Sequence, residues 1–311
     1  MSLRKQIKNR LPLVGIFIIL LAGIGVFMYP IISNWYGEYT AHTEIANYDN
    51  TIQKIGNESI LRLQKQAEEY NMALAKHDTK KVSSMDYKSL LAVSESIAYI
   101  EIPKINVYLP IFHGMDDDIL QRGVGHMEGS SLPVGGLSTH SVLAGHTGLP
   151  TANLFTDLDQ LKTGDYFYIH ALDKVLAYKI DRILTVLPYE TDKTDIVEGE
   201  DYITLVTCTP YGINSHRLLV RGTRVPYQTQ EMAHTDPWPV VHRVEDQRIP
   251  LRTIIWYASL GIVSVTVVVI ALILFVPVFH RKKKTSTGVT DDNSDPPDKE
   301  TGGSYDEDKT D

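Results

Sequence analysis

The chain carries one cysteine in 311 residues, Cys208, and its setting suits a nucleophile. A lone cysteine forms no intramolecular disulfide and no cysteine-based zinc site. Many cysteines are simply small buried hydrophobes, so the local context decides. Cys208 ends a β-prone run over 202–207. A turn-rich stretch over 209–215 follows, and a second run opens with His216-Arg217-Leu218-Leu219-Val220. If the two runs pair as a hairpin, Cys208 and Arg217 share one end of neighbouring strands. A guanidinium there can favour the thiolate or hold an oxyanion.

A thiol that cleaves an amide also needs a general acid to protonate the departing amine. Among the eleven histidines, His146 is best placed. It follows the apolar run 141–144 and precedes the turn Thr147-Gly148-Leu149-Pro150, so it sits at a strand exit, where function concentrates. His216 is the rival because it is near Cys208 in sequence. Strand alternation sends His216 and Arg217 to opposite faces, so only one of them faces the thiol. Asp116-Asp117-Asp118 offers oxygens to a calcium ion, but it lacks an EF-hand pattern and reads as a solvated turn. No metal and no cofactor is expected.

These residues need a frame. Ile45, Tyr48, Ile52, Ile55, Ile60, Leu61 and Leu63 recur at mixed spacings, three and four residues through Ile55, which predicts helix over 38–75. Residues 76–88 are polar and aperiodic, which predicts a mobile connector. Then the pattern becomes alternating. Short β-prone runs fall at 98–102, 107–111, 141–144, 166–169, 175–180, 183–187, 202–207 and 216–220. Turn residues separate most of them. This spacing predicts a mainly β domain, a closed barrel or a sandwich. A doubly wound α/β fold would need long helices between strands, and the gaps are too short.

Two uncharged apolar runs flank this region, over 11–32 and 253–279. Each is long enough to cross a bilayer core of about 30 Å as a helix. Arg4, Lys5, Lys8 and Arg10 precede the first, and Arg281, Lys282, Lys283 and Lys284 follow the second. Positive flanks stay in the cytoplasm, which predicts a two-pass protein in the cell membrane with both termini inside and 33–252 outside. The first run exceeds the apolar core of a cleaved signal peptide and no small-x-small site follows promptly. Residues 285–311 hold nine acidic residues and two lysines, too polar for a core. The net charge of −8 argues against a general nucleic-acid role.

The stretch Thr204-Leu205-Val206-Thr207-Cys208-Thr209-Pro210-Tyr211-Gly212-Ile213-Asn214-Ser215-His216-Arg217-Leu218-Leu219-Val220-Arg221-Gly222 resembles the active-site signature of class C sortases, the pilus-assembly transpeptidases of Gram-positive bacteria. Ile100-Glu101-Ile102-Pro103-Lys104-Ile105, the segment from Gly125-His126-Met127-Glu128-Gly129 to Gly136, and Ala144-Gly145-His146-Thr147-Gly148-Leu149-Pro150 resemble that family too. The resemblance covers 98–227. It implies an eight-stranded sortase-type β-barrel, with Cys208 as nucleophile, His146 as acid/base and Arg217 as the cation serving substrate and oxyanion. It also implies pilin partners that carry a sorting motif of the Leu-Pro-x-Thr-Gly type and an acceptor lysine.

With the resemblance, the chain divides into a cytoplasmic start (1–10), a membrane helix (11–32) and an external helical segment with a degenerate lid region (33–97). The catalytic barrel (98–227), a juxtamembrane linker (228–252), a second membrane helix (253–279) and a basic stop with an acidic tail (280–311) follow. Class C sortases usually carry an Asp-Pro-aromatic lid ahead of the barrel. Here 76–97 has no such triplet. Met85-Asp86-Tyr87 keeps an acid and an aromatic without the stiffening proline, and Asp236-Pro237-Trp238 lies after the barrel. The sequence predicts an accessible active site. A divergent lid using Asp86 and Tyr87, or a plug formed by Trp238, is the competing arrangement. A housekeeping sortase that anchors proteins to peptidoglycan, a non-catalytic adhesin and a simple cysteine protease are the rival functions.

Overall fold

A computed structural model of the chain describes residues 3–149, 152–190 and 192–227. The expected second membrane helix over 253–279, the linker with Trp238 and the acidic tail lie outside these residues. The chain begins with α1 (Leu3–Lys54), a single helix of 52 residues. At 1.5 Å per residue it is about 78 Å long. It contains a stretch with mean hydropathy 2.0, long and apolar enough to cross a membrane. The sequence predicts separate helices over 11–32 and 38–75. Instead, helix runs unbroken through 33–37, and the break comes at Gly56, whose extended backbone caps α2 (Asn57–Ala75).

The far end of α1 is bound to the barrel. Ile45 and Tyr48 are buried against Tyr99. The Tyr48 hydroxyl donates to the Ile97 carbonyl at 3.1 Å and accepts from the Leu172 amide at 2.7 Å. Helix α2 buries Ile60, Ala67, Tyr70 and Ala73 on one stripe, the i, i+7 spacing of an amphipathic helix. Its Asn71 side chain pairs with the backbone of Leu132, donating at 3.0 Å and accepting at 2.7 Å.

The polar segment over 76–88 is structured, contrary to the expected mobile connector. Asp78 accepts from the Lys81 amide at 3.1 Å and starts α3 (Thr79–Ser84). Asp86 accepts from the Lys88 amide at 3.2 Å and starts a 3-10 turn, Tyr87–Ser89. Side-chain caps satisfy amides that the first helical turn leaves without partners. They act without any apolar periodicity, so the hydrophobic pattern misses them.

Eight strands form a closed barrel: β1 (Ser96–Ile102), β2 (Val107–His113), β3 (Val124–His126), β4 (Thr139–Ala144), β5 (Tyr166–Ala171), β6 (Lys174–Val186), β7 (Asp201–Thr209) and β8 (His216–Val225). Their order around the barrel is β1-β2-β3-β4-β7-β8-β6-β5. The pairs β2/β3 and β4/β7 are parallel and the rest antiparallel. Ile100, Ile111, Leu143, Phe167, Ile169, Ile203, Leu205 and Val220 fill the interior. A short six-residue helix, α4 (Asp117–Arg122), joins β2 to β3.

The expected strand count is right through two compensating errors. The three-residue β3 was missed, since Val124-Gly125-His126 is too short to show alternation. The runs at 175–180 and 183–187 are one strand, β6, with a register shift between Ile180 and Arg182. Asp181 turns out at that irregularity and holds Arg221 through two hydrogen bonds.

Candidate active site

Strands β4 and β7 run parallel, with Ala144 opposite Val206. Both chains leave the sheet at the same end of the barrel, and the pairing continues one residue further. The Gly145 amide donates to the Val206 carbonyl at 3.0 Å. Thr207 Oγ1 donates to the Gly145 carbonyl at 2.7 Å. His146 follows Gly145 and Cys208 follows Thr207, so backbone bonds fix where both candidate side chains start. Gly145 is required by space: a Cβ there would stand 2.7 Å from the buried ring of Phe155.

On β7, Ile203 and Leu205 point into the core, and Thr207 shares their face by alternation. Cys208 therefore points to the outer face, where it is half-buried. In the antiparallel β7/β8 pair, Cys208 stands directly opposite Arg217, and Thr209 opposite His216. Directly opposed residues share a face of the sheet. The guanidinium is thus on the thiol's side and the His216 ring on the other, where Ser215 Oγ lies 2.9 Å from its Nδ1.

Arg217 Nη1 donates to the carbonyls of Asn214 at 3.1 Å and His216 at 3.0 Å. These bonds hold the fork against the β7–β8 loop. A guanidinium has five N–H donors, so others remain for a substrate oxygen. Among the described residues no carboxylate forms an ion pair with it. In that loop Tyr211 and Ile213 are exposed, and the Tyr211 ring rests against Gly148 of the turn after His146. The β7–β8 loop and the turn after His146 therefore meet through this ring.

His146 is partly exposed, with 27% of its side chain accessible, and its Nε2 lies 3.7 Å from Asp117 Oδ1 at the start of α4. Asp117, expected as part of a solvated acidic turn, is thus also a contact of His146. Among the described residues no cluster of three or more histidine, cysteine and acidic side chains is arranged to hold a metal ion.

Of the two residues offered as a divergent lid, Tyr87 contacts His113, Gly114 and His126. Tyr87 is buried, and its hydroxyl lies 2.8 Å from His126 Nδ1 and 3.1 Å from the His126 carbonyl oxygen. It also accepts from the Gly114 amide at 3.2 Å, and its ring meets His113 edge-on at 4.5 Å. Asp86 caps the turn beside it. The cleft that these residues border is lined by Tyr70, Val82, Met85 and Glu128 and includes none of Cys208, His146 and Arg217. The structure thus brings Cys208, Arg217 and the His146 turn together and sets Asp86 and Tyr87 against β2 and β3.

His126 is a structural residue that no local sequence pattern marks. It is fully buried, and its Nε2 lies 2.8 Å from the Ser131 carbonyl. A carbonyl only accepts, so Nε2 carries the proton and Nδ1 takes the Tyr87 hydroxyl proton. Burial pushes its pKa down to about 4, which keeps the ring neutral at pH 7.

The chain matches the sortase domain family over residues 100–225. It is 31% identical over 142 residues to sortase A of Streptococcus agalactiae serotype III, covering 43% of this chain and 57% of that protein. It is 30% identical over 165 residues to sortase A of Bacillus anthracis, covering 50% of this chain and 76% of that one. Among solved structures it is similar to Streptococcus agalactiae sortase C1 in complex with MTSET, at 47% identity and a TM-score of 0.56, covering 58% of this chain and 98% of that one. It is also similar to Streptococcus pneumoniae sortase C, a structure described for its pilin substrate specificity, at 46% identity and a TM-score of 0.54, covering 59% and 96%.

Proposed function

This chain belongs to the sortase family of cysteine transpeptidases, and from that membership we propose that it polymerises pilins at the membrane. The observation that carries the reading is the β7/β8 register, with Arg217 opposite Cys208 and His146 tethered one strand away. Its solved neighbours are class C sortases.

The Cys208 thiolate attacks the Thr carbonyl carbon of a Leu-Pro-x-Thr-Gly-like motif. The carbonyl oxygen gains negative charge, and the Arg217 fork offers it donors. The tetrahedral centre collapses, the C–N bond to Gly breaks, and protonated His146 gives its proton to the departing amine. A thioester on Cys208 remains. The neutral amine of an acceptor lysine on another pilin then attacks that carbon and His146 takes back a proton. The C–S bond breaks, so an isopeptide bond forms and the thiolate is restored. No step calls on a metal or a cofactor.

The apolar stretch of α1 serves as the membrane anchor. With a second span over 253–279 and basic flanks at both ends, the catalytic barrel is placed on the outer side. The test is to incubate the full chain in detergent micelles with a pilin that carries the motif and a candidate lysine. Covalent ladders on a denaturing gel that vanish for Cys208→Ala support the reading. Free acid as the main product would point to a protease, and transfer only to a peptidoglycan-like amine to a housekeeping sortase.

A further inference from the structure

We propose that Asp117 is a positioning residue for His146, holding the imidazole ring in the orientation from which it transfers protons. The proposal rests on the reading of His146 as the acid/base of the reaction. It starts from the 3.7 Å contact between Asp117 Oδ1 and His146 Nε2. A carboxylate on one ring nitrogen restrains the ring and leaves the other nitrogen to work.

The backbone around Asp117 is fixed. The Gly114 amide donates to the His126 carbonyl at 3.0 Å and also to the Tyr87 hydroxyl. The turn lies so close to β3 that a Cβ on Gly125 would stand 2.4 Å from the Gly114 carbonyl. Leu120 packs on the same glycine, and its amide closes the first turn of α4 on Asp116 O at 3.0 Å. The chain thus delivers residue 117 to one place beside His146, fastened to the barrel by Tyr87, His126 and Gly125.

The carboxylate itself stays 89% accessible, so it is hydrated and forms a contact that substrate can displace or tighten. Its neighbours Asp116 and Asp118 form no described contact with His146. Cys208 from β7, Arg217 from β8 and Tyr211 from their loop are delivered to the same end of the barrel.

The test compares the full chain in micelles with its Asp117→Asn and Asp117→Glu variants. A Leu-Pro-x-Thr-Gly peptide and an amine acceptor serve as the probe. An exposed ion pair sets the scale, so Asp117→Asn should lower kcat by about two- to fivefold with KM unchanged. Asp117→Glu should recover part of the loss. High salt should slow the wild type toward the Asn variant and leave that variant little changed. Nitrogen-15 spectra of the His146 ring read the same contact without substrate, and Asp117→Asn should shift them. Unchanged ring spectra with unchanged kcat would overturn the proposal. A chain inactive toward the peptide speaks against the transpeptidase reading, and its ring spectra still decide the role of Asp117.

Discussion

Thr207 donates its hydroxyl to the Gly145 carbonyl at 2.7 Å, which ties the residue before the cysteine to the residue before the histidine. Thr207 is buried, and its bond crosses between two parallel strands. The backbone positions from which Cys208 and His146 start are therefore tied to the barrel wall.

Thr207→Val keeps the shape and removes the hydroxyl. The Gly145 carbonyl then loses a buried partner, at a stability cost of about 1–2 kcal/mol. The His146 turn loosens, and kcat should fall by about tenfold or more, since small misplacements near reacting groups are costly. Thermal melts and steady-state kinetics read the two effects. Wild-type kcat in a destabilised variant would show that the bond is purely structural.

Cys208→Ala should abolish ladder formation with a stability change near 1 kcal/mol, because the side chain is only half-buried. Arg217→Lys should also fail in turnover although the charge is kept. Lysine is a point charge without the planar fork that bridges the loop carbonyls and a substrate oxygen. Near-normal rates for Arg217→Lys would reduce that residue to general electrostatic attraction.

His146→Ala and His216→Ala separate the two candidate acids. The register puts His216 opposite Thr209 on the face away from the thiol. The His146 variant should be nearly inactive, and the His216 variant should keep activity within a few-fold. The reverse ranking would mean that the β7–β8 hairpin rearranges when substrate binds.

Much of the site was legible because one hairpin carries it. Alternation over 202–207 and 216–220 around a turn-rich stretch is a local signal, and it puts Cys208, Arg217 and His216 on definite faces. The Asp117–His146 contact was not legible, since it joins residues 29 apart through α4 and β3, and β3 is too short to show a period. The burial of Tyr87 was not legible for a related reason. Its partners His113, Gly114 and His126 come from β2 and β3, so nothing adjacent in sequence announces that it is buried. The continuity of α1 through 33–37 escaped because a change from apolar to mixed composition looks like an end, although it marks only a change of surroundings.

Replacing Tyr87 with phenylalanine tests whether the segment ahead of the barrel guards the thiol. The ring stays and the hydroxyl bonds to His126 and Gly114 go, so stability should drop by about 1–3 kcal/mol. Labelling of Cys208 by a bulky thiol reagent should change less than about twofold, because none of the contacts described for Tyr87 reaches the thiol. A plug held in place by this hydroxyl would release the thiol and accelerate labelling by the reciprocal of the open fraction. Acceleration for Trp238→Ala alone would assign that role to the linker after the barrel.

The buried His126 gives the fold a predictable dependence on pH. In the unfolded chain an imidazole takes up a proton below about 6.5. In the folded barrel burial holds the value down to about 4. Between these limits the unfolded state binds more protons. The neutral ring's contribution is therefore complete above about pH 6.5 and is lost as pH falls toward 4, at up to about 1.4 kcal/mol per pH unit. Protonation would also take the Nδ1 lone pair from the Tyr87 hydroxyl, so the segment ahead of the barrel should loosen first. His126→Gln keeps a donor for the Ser131 carbonyl and removes the titration. Chemical denaturation of both proteins from pH 7 to 4 reads the outcome. The variant should be less stable at pH 7 and show a flatter decline. His42, His113 and His140, whose pKa values burial also lowers, should contribute to the slope that remains. Parallel declines in the two proteins would show that His126 does not set the acid limit of the fold.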